Sequence, residues 1–310
     1  MVETPVLFIT FARPEYARQT WEGIKAAQPK TLYFYSNKGR TEKDGEVKRN
    51  NEIRKYINEI DWKCDLHTWF REECVNAYDS IRGAIDWLFE NEECGIVLEE
   101  DCVPTKAFFS FVDQMIPKFR NEPKVWCISG DNYLDKSLSG YDYIFSHYHW
   151  MYGWASWANR WHQIDWENID INPLIQNHKC YSLYKYKIQG YLRERQLKRT
   201  IDFVKQTKCW DYAFGYLIDI NKGLTVHPAF NLIHNIGVYG ENHNSKKEKR
   251  VNIKPTYNSN VYIVNKTPST ICADRDYDFK VLVKVQYSPL LKIIINHIYY
   301  YILKLFKKEI

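Results

Sequence analysis

No CxxC pair and no regular cysteine spacing occur among the 8 cysteines of this 310-residue chain. That argues against a zinc site or a disulfide framework, and Cys127 in KVWCISG reads as a reduced core thiol of a cytosolic protein. No leader is expected either. MVETPVLFITF carries no basic residue and no long apolar stretch before Arg13, so no signal peptide is expected. No run reaches the uninterrupted apolar length of a membrane-spanning helix. Charge of one sign is not dominant either. Lys and Arg number 43 against 38 Asp and Glu, a formal +5. With no dense basic stripe on any predicted element, this excess is small for a nucleic-acid binder, and no nucleic acid is expected as a partner. A modest basic bias suits phosphate-bearing small molecules or an anionic membrane. Internal repeats and low-complexity tracts are absent.

Aromatic residues are plentiful, at 16% of the chain, enough to line a binding surface as well as a core. The first 130 residues alternate between strand and helix signals. PVLFITF, TLYFYSN, CDLHTWF, GIVLEED and KVWCISG read as five strands. Between them EVKRNNEIRKYINEI, NAYDSIRGAIDWLFEN and TKAFFSFVDQMIPKF have helical spacing, and Pro14 suits the first turn of a helix after the first strand. This order predicts an α/β fold, a mostly parallel central sheet with helices on both faces. Ligands in such sheets sit beyond the carboxyl ends of the strands. Arg13, Asn37 and the acids Glu99, Glu100 and Asp101 are therefore expected along one edge.

The later half is looser. YDYIFSH reads as a strand, and HWMYGWASWANRWHQIDW is crowded with tryptophans. Residues 181–206 read as one or two polar helices, CWDYAFGYLIDI as a helix, GLTVHPAFNLI as a strand, and NIGVYGENHNSKKEKR as a loop. The tail SPLLKIIINHIYYYILKLFKKEI places Lys292, Asn296, Tyr300, Lys304 and Lys308 on one narrow stripe of an amphipathic helix. Its broad apolar face suits an anionic membrane surface and the body of the domain at about even odds. The expected location is the cytoplasm, with peripheral contact to the inner face of the cell membrane if the tail docks there.

Three consecutive acids at a strand tip admit two readings. A hard cation such as Mn²⁺ or Mg²⁺ takes oxygen ligands and bridges carboxylates to a substrate's phosphates. Otherwise the tip is merely solvated, or Asp101 caps the turn that opens near Pro104.

The run RGAIDWLFENEECGIVLEEDCVPTKAFFSF resembles a bacterial group of GT-A-type nucleotide-diphospho-sugar transferases, the hemolytic-protein-like group. More distantly it is similar to N-acetylglucosaminyltransferase I. FITFARP, NEIRKYINEIDWKCDLHTWFREE, GWASWANRW and CWDYAFGYLIDINKGLTVHPAFNLIHNIGVYGENH match further family segments in order, and the likeness stops near Tyr257. The resemblance implies a GT-A domain over residues 1–256, with a nucleotide-binding half (1–130) and an acceptor half (131–256), followed by an extension over 257–310. It implies a metal-dependent, inverting glycosyltransferase that uses a nucleotide-diphosphate sugar, uridine-based by preference, and a glycan or glycolipid acceptor. The alternatives are a sugar-phosphate nucleotidyltransferase and a carbohydrate-binding protein without turnover.

By the same resemblance Asp101 and His243 are metal ligands. Glu99 and Glu100 contact ribose or sugar, and Asp211 of the Trp210-Asp211 pair is the base. Arg13, Asn37, Arg40, Arg54, Gly153 and Trp154 face the donor. Arg13 is expected to meet the nucleotide rather than pair with a neighbouring acid. Trp161 is expected in the core, four residues after Trp157 on a helix. Three departures bear on the donor: Glu100 replaces the usual Asp, Asn37-Lys38-Gly39-Arg40 replaces DGPR, and Cys74-Val75-Asn76-Ala77 replaces NLGC.

Overall fold

The computed structural model describes residues 1–237 and 253–286, together with Ile294, His297, Ile298 and Tyr301. His243 and most of the expected tail helix lie outside the described residues.

Four apolar runs build a parallel half-sheet. The strands are β1 (Val6–Thr10), β2 (Thr31–Ser36), β3 (Asp65–Phe70) and β4 (Cys94–Glu99). All five residues of β1 are buried, as expected of a strand covered on both faces. Helix α1 (Pro14–Ala27) opens on its proline. Helix α2 (Glu46–Arg54) follows β2, and α3 (Ala77–Asn91) begins where Asn76 accepts a hydrogen bond from the Asp79 amide. Thr105, not Asp101, caps α4 (Lys106–Phe119), accepting from the Phe108 amide.

The second half departs from the expected order. A short strand β5 (Cys102–Pro104) precedes α4, and KVWCISG forms β6 (Val125–Ser129), the sixth strand rather than the fifth. β7 (Tyr143–Ser146), β8 (Trp154–Trp157) and β9 (Leu224–Pro228) complete an eight-stranded sheet of order β3-β2-β1-β4-β8-β6-β9-β7. β8 runs antiparallel to both β4 and β6, and β7 antiparallel to β9; the other four pairings are parallel. Trp157 thus ends a strand, and Trp161 lies on the one-turn helix α5 (Ala158–Trp161) after it. Both are buried, but their spacing is not that of one helix.

Helices cover both faces. Side chains of α1 and α4 pack on one face, with Trp21, Phe108 and Val112 against Phe8 and Ile96. α3 and α9 (Trp210–Ile220) cover the other through Leu88 and Phe214, with Trp161 of α5 packed beside them. Short helices α6 (Asn172–Ile175) and α7 (Cys180–Leu183) and the long α8 (Lys187–Thr207) flank α9. A second, two-stranded ladder pairs β5 with β10 (Ile233–Asn235) and fastens the chain after β9 beside Asp101. Downstream residues join the same body. Tyr262 is buried in the first core, and Tyr277, Val281 and Val285 pack with Ile144 and Leu192. Among the described residues no helix is long and apolar enough to cross a membrane.

Candidate active site

Parallel pairing of β1 with β4 sets Ile9 opposite Glu99. The residues that follow each strand therefore meet at the carboxyl edge. Here the Arg13 Nε donates to Glu100 Oε1 at 2.6 Å, and Nη2 to Asp101 Oδ2 at 2.9 Å. The expectation that Arg13 avoids its neighbouring acids is corrected. Strand register, invisible in sequence, puts the guanidinium against them, where its fork matches two carboxylates. The other oxygen of Glu100 accepts from the Phe11 amide at 2.8 Å, and its backbone carbonyl accepts from Thr20. Glu100 is buried and wholly engaged within the protein. Its role is to hold the loop after β1.

Glu99 and Asp101 differ from it. All three acids line a cleft of about 1580 Å³ that runs between the ends of β1, β2 and β4, but neither Glu99 nor Asp101 is as fully engaged as Glu100. Among the described residues the Glu99 carboxylate has no hydrogen-bond partner. Burial, with the charges of Asp101 and Asp211 close by, pushes its pKa up to about 8. Asp211, in the first turn of α9, is thus near enough for its charge to bear on Glu99 from far along the chain. It is open to solvent, yet the surrounding protein thins its hydration and raises its pKa, while the Cys209 thiol and the Tyr212 amide oppose that shift.

The remaining expected contacts are placed as follows. Asn37 is buried, donates to the Val75 carbonyl at 2.8 Å and accepts from the Val75 and Lys38 amides. It locks the loop before α3 to the tip of β2. Arg40 is on the rim of the cleft, in a two-bond pair with Glu46 at 2.7 and 2.9 Å. Arg54 donates to the carbonyls of Ser36, Asn37 and Arg71 and does not line the cleft. Trp154 is buried behind the site, its ring stacked on Trp210 at 5.4 Å. Gly153 has φ +82°, and a Cβ there would lie 2.6 Å from Ile233. Its freedom serves close packing onto β10.

Sequence reasoning passed over Arg49, which lines the cleft and, among the described residues, donates to the carbonyls of Ala12 and Asp44. It also missed Gly237. A Cβ at Gly237 would stand 2.1 Å from Asp101 Oδ2, so the β5–β10 ladder leaves room there for no side chain. The glycine in HNIG was the available signal.

Charge across the cleft is unbalanced. Among the described residues its lining holds eight carboxylates (Glu15, Glu42, Glu46, Glu72, Glu73, Glu99, Glu100, Asp101) against four cations (Arg13, Lys38, Arg40, Arg49). An anionic diphosphate entering alone would meet net repulsion. Asp101 is a hard oxygen donor at the cleft wall, of the kind Mg²⁺ and Mn²⁺ take together with phosphate oxygens. The donor chemistry thus fits a divalent ion. Among the described residues no three His, Cys, Asp or Glu side chains converge on a point as a ready-made metal cage.

No protein-family model matches the chain. No curated protein matches its sequence. Solved structures similar to it include mannosyltransferase PcManGT from Pyrobaculum calidifontis in complex with GDP-Man and Mn²⁺, at 9% identity over 71% of this chain and 74% of that one, with a TM-score of 0.38. UDP-glucose pyrophosphorylase complexed with UDP-glucose is similar at 8% identity over 76% of this chain and 94% of that one, with a TM-score of 0.36. Mouse xyloside xylosyltransferase 1 in its apo form is similar at 13% identity over 43% of this chain and 54% of that one, with a TM-score of 0.26. Likeness at this level does not bear on substrate or mechanism, which rest on the cleft.

Proposed function

We propose that this protein is a divalent-metal-dependent glycosyltransferase that moves a sugar from a nucleotide-diphosphate donor to an acceptor hydroxyl with inversion. The observation that carries the reading is Asp211 of α9 lying near enough to bear electrostatically on Glu99, which with Asp101 lines a cleft of about 1580 Å³ at the tip of β4. Asp101 would hold the cation. When bound, that cation neutralises the diphosphate and supplies Lewis acidity at the leaving group.

The protein's own groups do the rest. The β1 and β2 loops, pinned by Glu100–Arg13 and by Asn37–Val75, bound the nucleotide end of the cleft. Lys38 and Arg49, which have no carboxylate partner among the described residues, offset part of the donor's charge. Glu99, which lines the cleft without a hydrogen-bond partner among the described residues, is placed to bond a sugar hydroxyl. Asp211, open to solvent, accepts the proton of the attacking hydroxyl when ionised. Attack from the side opposite the leaving diphosphate inverts the anomeric centre. A uridine donor and a glycan or glycolipid acceptor are the preferred substrates on the sequence resemblance. The loop after β1, Phe11 to Arg13, has no glycine to wrap a triphosphate, which disfavours the nucleotidyltransferase alternative.

The test is release of nucleoside diphosphate from a panel of nucleotide sugars with Mn²⁺, with and without oligosaccharide acceptors. Release that needs metal and falls at least about 100-fold in both Asp101→Asn and Asp211→Asn is expected, the scale of a lost acid–base group. Tight donor binding without release would favour a carbohydrate-binding protein instead.

A further inference from the structure

Asp211 carries its two oxygens in unlike settings. Oδ1 accepts from the Tyr212 amide at 2.8 Å and from the Cys209 thiol at 2.9 Å. Oδ2 has no protein partner among the described residues. Cys209 occupies the position just before α9 that an N-capping side chain would take, yet its side chain caps no backbone amide. It is turned to the carboxylate of the first turn instead. The thiol is nearly buried, so water does not compete well for that hydrogen bond.

We propose that Cys209 is a positioning residue: its thiol and the Tyr212 amide together grip Oδ1 of Asp211 and leave Oδ2 as the one oxygen presented to an acceptor hydroxyl. This rests on the reading of Asp211 as the base. A carboxylate free to rotate about its Cβ–Cγ bond would offer either oxygen in many directions; two donors on one oxygen fix the plane. Both donors also favour the ionised carboxylate. They work against the protein around Asp211, which thins its hydration. Glu99 on β4, Tyr152 ahead of β8, and Tyr212 and Tyr216 on α9 are the other titratable groups that feel the Asp211 charge. A proton on Asp211 would remove the base, so the thiol keeps it available as well as aimed.

The experiment compares the full chain with Cys209→Ala and Cys209→Ser, with Asp211→Asn to assign the signal. The titration midpoint of Asp211 is read from the side-chain carboxyl carbon by NMR of aspartate-labelled protein. In Cys209→Ala the midpoint rises by about one pH unit, the size expected for a lost hydrogen bond to a charged acceptor. Cys209→Ser, whose hydroxyl can donate in the same place, returns it to within about half a unit of wild type. A midpoint unmoved in the alanine variant, or a serine variant that behaves like alanine, overturns the proposal. Nucleoside diphosphate release is measured on the same samples. Where release occurs, alanine lowers kcat about tenfold with little change in donor KM, and serine restores most of it. A shifted midpoint in a protein that releases no nucleotide from any donor overturns the transferase reading instead, and with it the positioning role.

Discussion

Replacing Arg13 by Met tests how the acidic tip of β4 is held. The substitution keeps most of the stem and removes the guanidinium that bonds Glu100 at 2.6 Å and Asp101 at 2.9 Å. Glu100 is only 5% exposed at its side chain, so the change leaves a charge in a poorly solvated place. Removing one partner of a fully buried pair costs about 3–5 kcal/mol. Arg13 itself is 39% exposed, and solvent screening brings the expected cost down to about 1–3 kcal/mol. Glu100→Gln keeps the shape and the hydrogen bond from Phe11 but drops the charge. In Glu100→Gln the loss of Arg13 should therefore cost much less. Urea denaturation followed by tryptophan fluorescence of the four proteins in the cycle gives the coupling directly. A coupling of about 1–2 kcal/mol is expected. A value below about 0.3 kcal/mol would refute the idea that the guanidinium is the counter-charge of this tip.

Three further outcomes follow from particular contacts. Gly237→Ala places a Cβ 2.1 Å from Asp101 Oδ2, and must displace either Asp101 or the β5–β10 ladder; nucleotide release should drop at least about tenfold, whereas unaltered release would show that Asp101 tolerates displacement. Asp278 is buried, accepts from Ser146 and the His147 amide, and has its pKa raised by burial to about 7. Its proton is retained in the fold and lost in the unfolded chain between about pH 4 and 7, so stability falls as pH rises through that window, by about 4 kcal/mol at most. Asp278→Asn should gain stability relative to wild type from pH 4 to 7 in thermal melts, and a constant difference would contradict the assignment. His147 and His227 are buried, which holds each pKa down at about 4. Both stay neutral in the fold while the unfolded chain takes up protons below about pH 6.5, so each removes stability as pH falls from 6.5 to 4. His227→Gln should make the acid side of the melting curve shallower, and an unchanged slope would exclude His227 as a contributor.

What could be read from sequence follows a physical division. β1, β2, β4, α1 and α3 are runs of ordinary length whose apolar pattern is bounded by Pro14, Asn37 or Asn76, and they formed as expected. β5 and β10 have three residues each, too few to show any period, so the ladder that brings Gly237 to Asp101 had no visible signature. β8 hid behind its tryptophans. In WASWANRW the spacing of Trp157 and Trp161 fits a helix, but the inner strand position between β4 and β6 takes the four residues from Trp154 to Trp157 instead. The carboxyl edge was legible because topology alone puts Arg13, Asn37 and the β4 acids there. Which cation faces which acid was not, because it depends on register and side-chain reach. Hence Arg13, Arg40 and Arg54 are engaged within the protein, and Arg49 was overlooked.

Electron paramagnetic resonance of Mn²⁺ titrated into the protein with and without uridine diphosphate reads the cleft's central feature without requiring turnover. The free-ion signal should diminish on adding wild-type protein and diphosphate together, far more than with either alone, and Asp101→Ala should restore it. Equal loss of signal in Asp101→Ala, or no loss in wild type with diphosphate present, would contradict a cation held between Asp101 and a donor's phosphates.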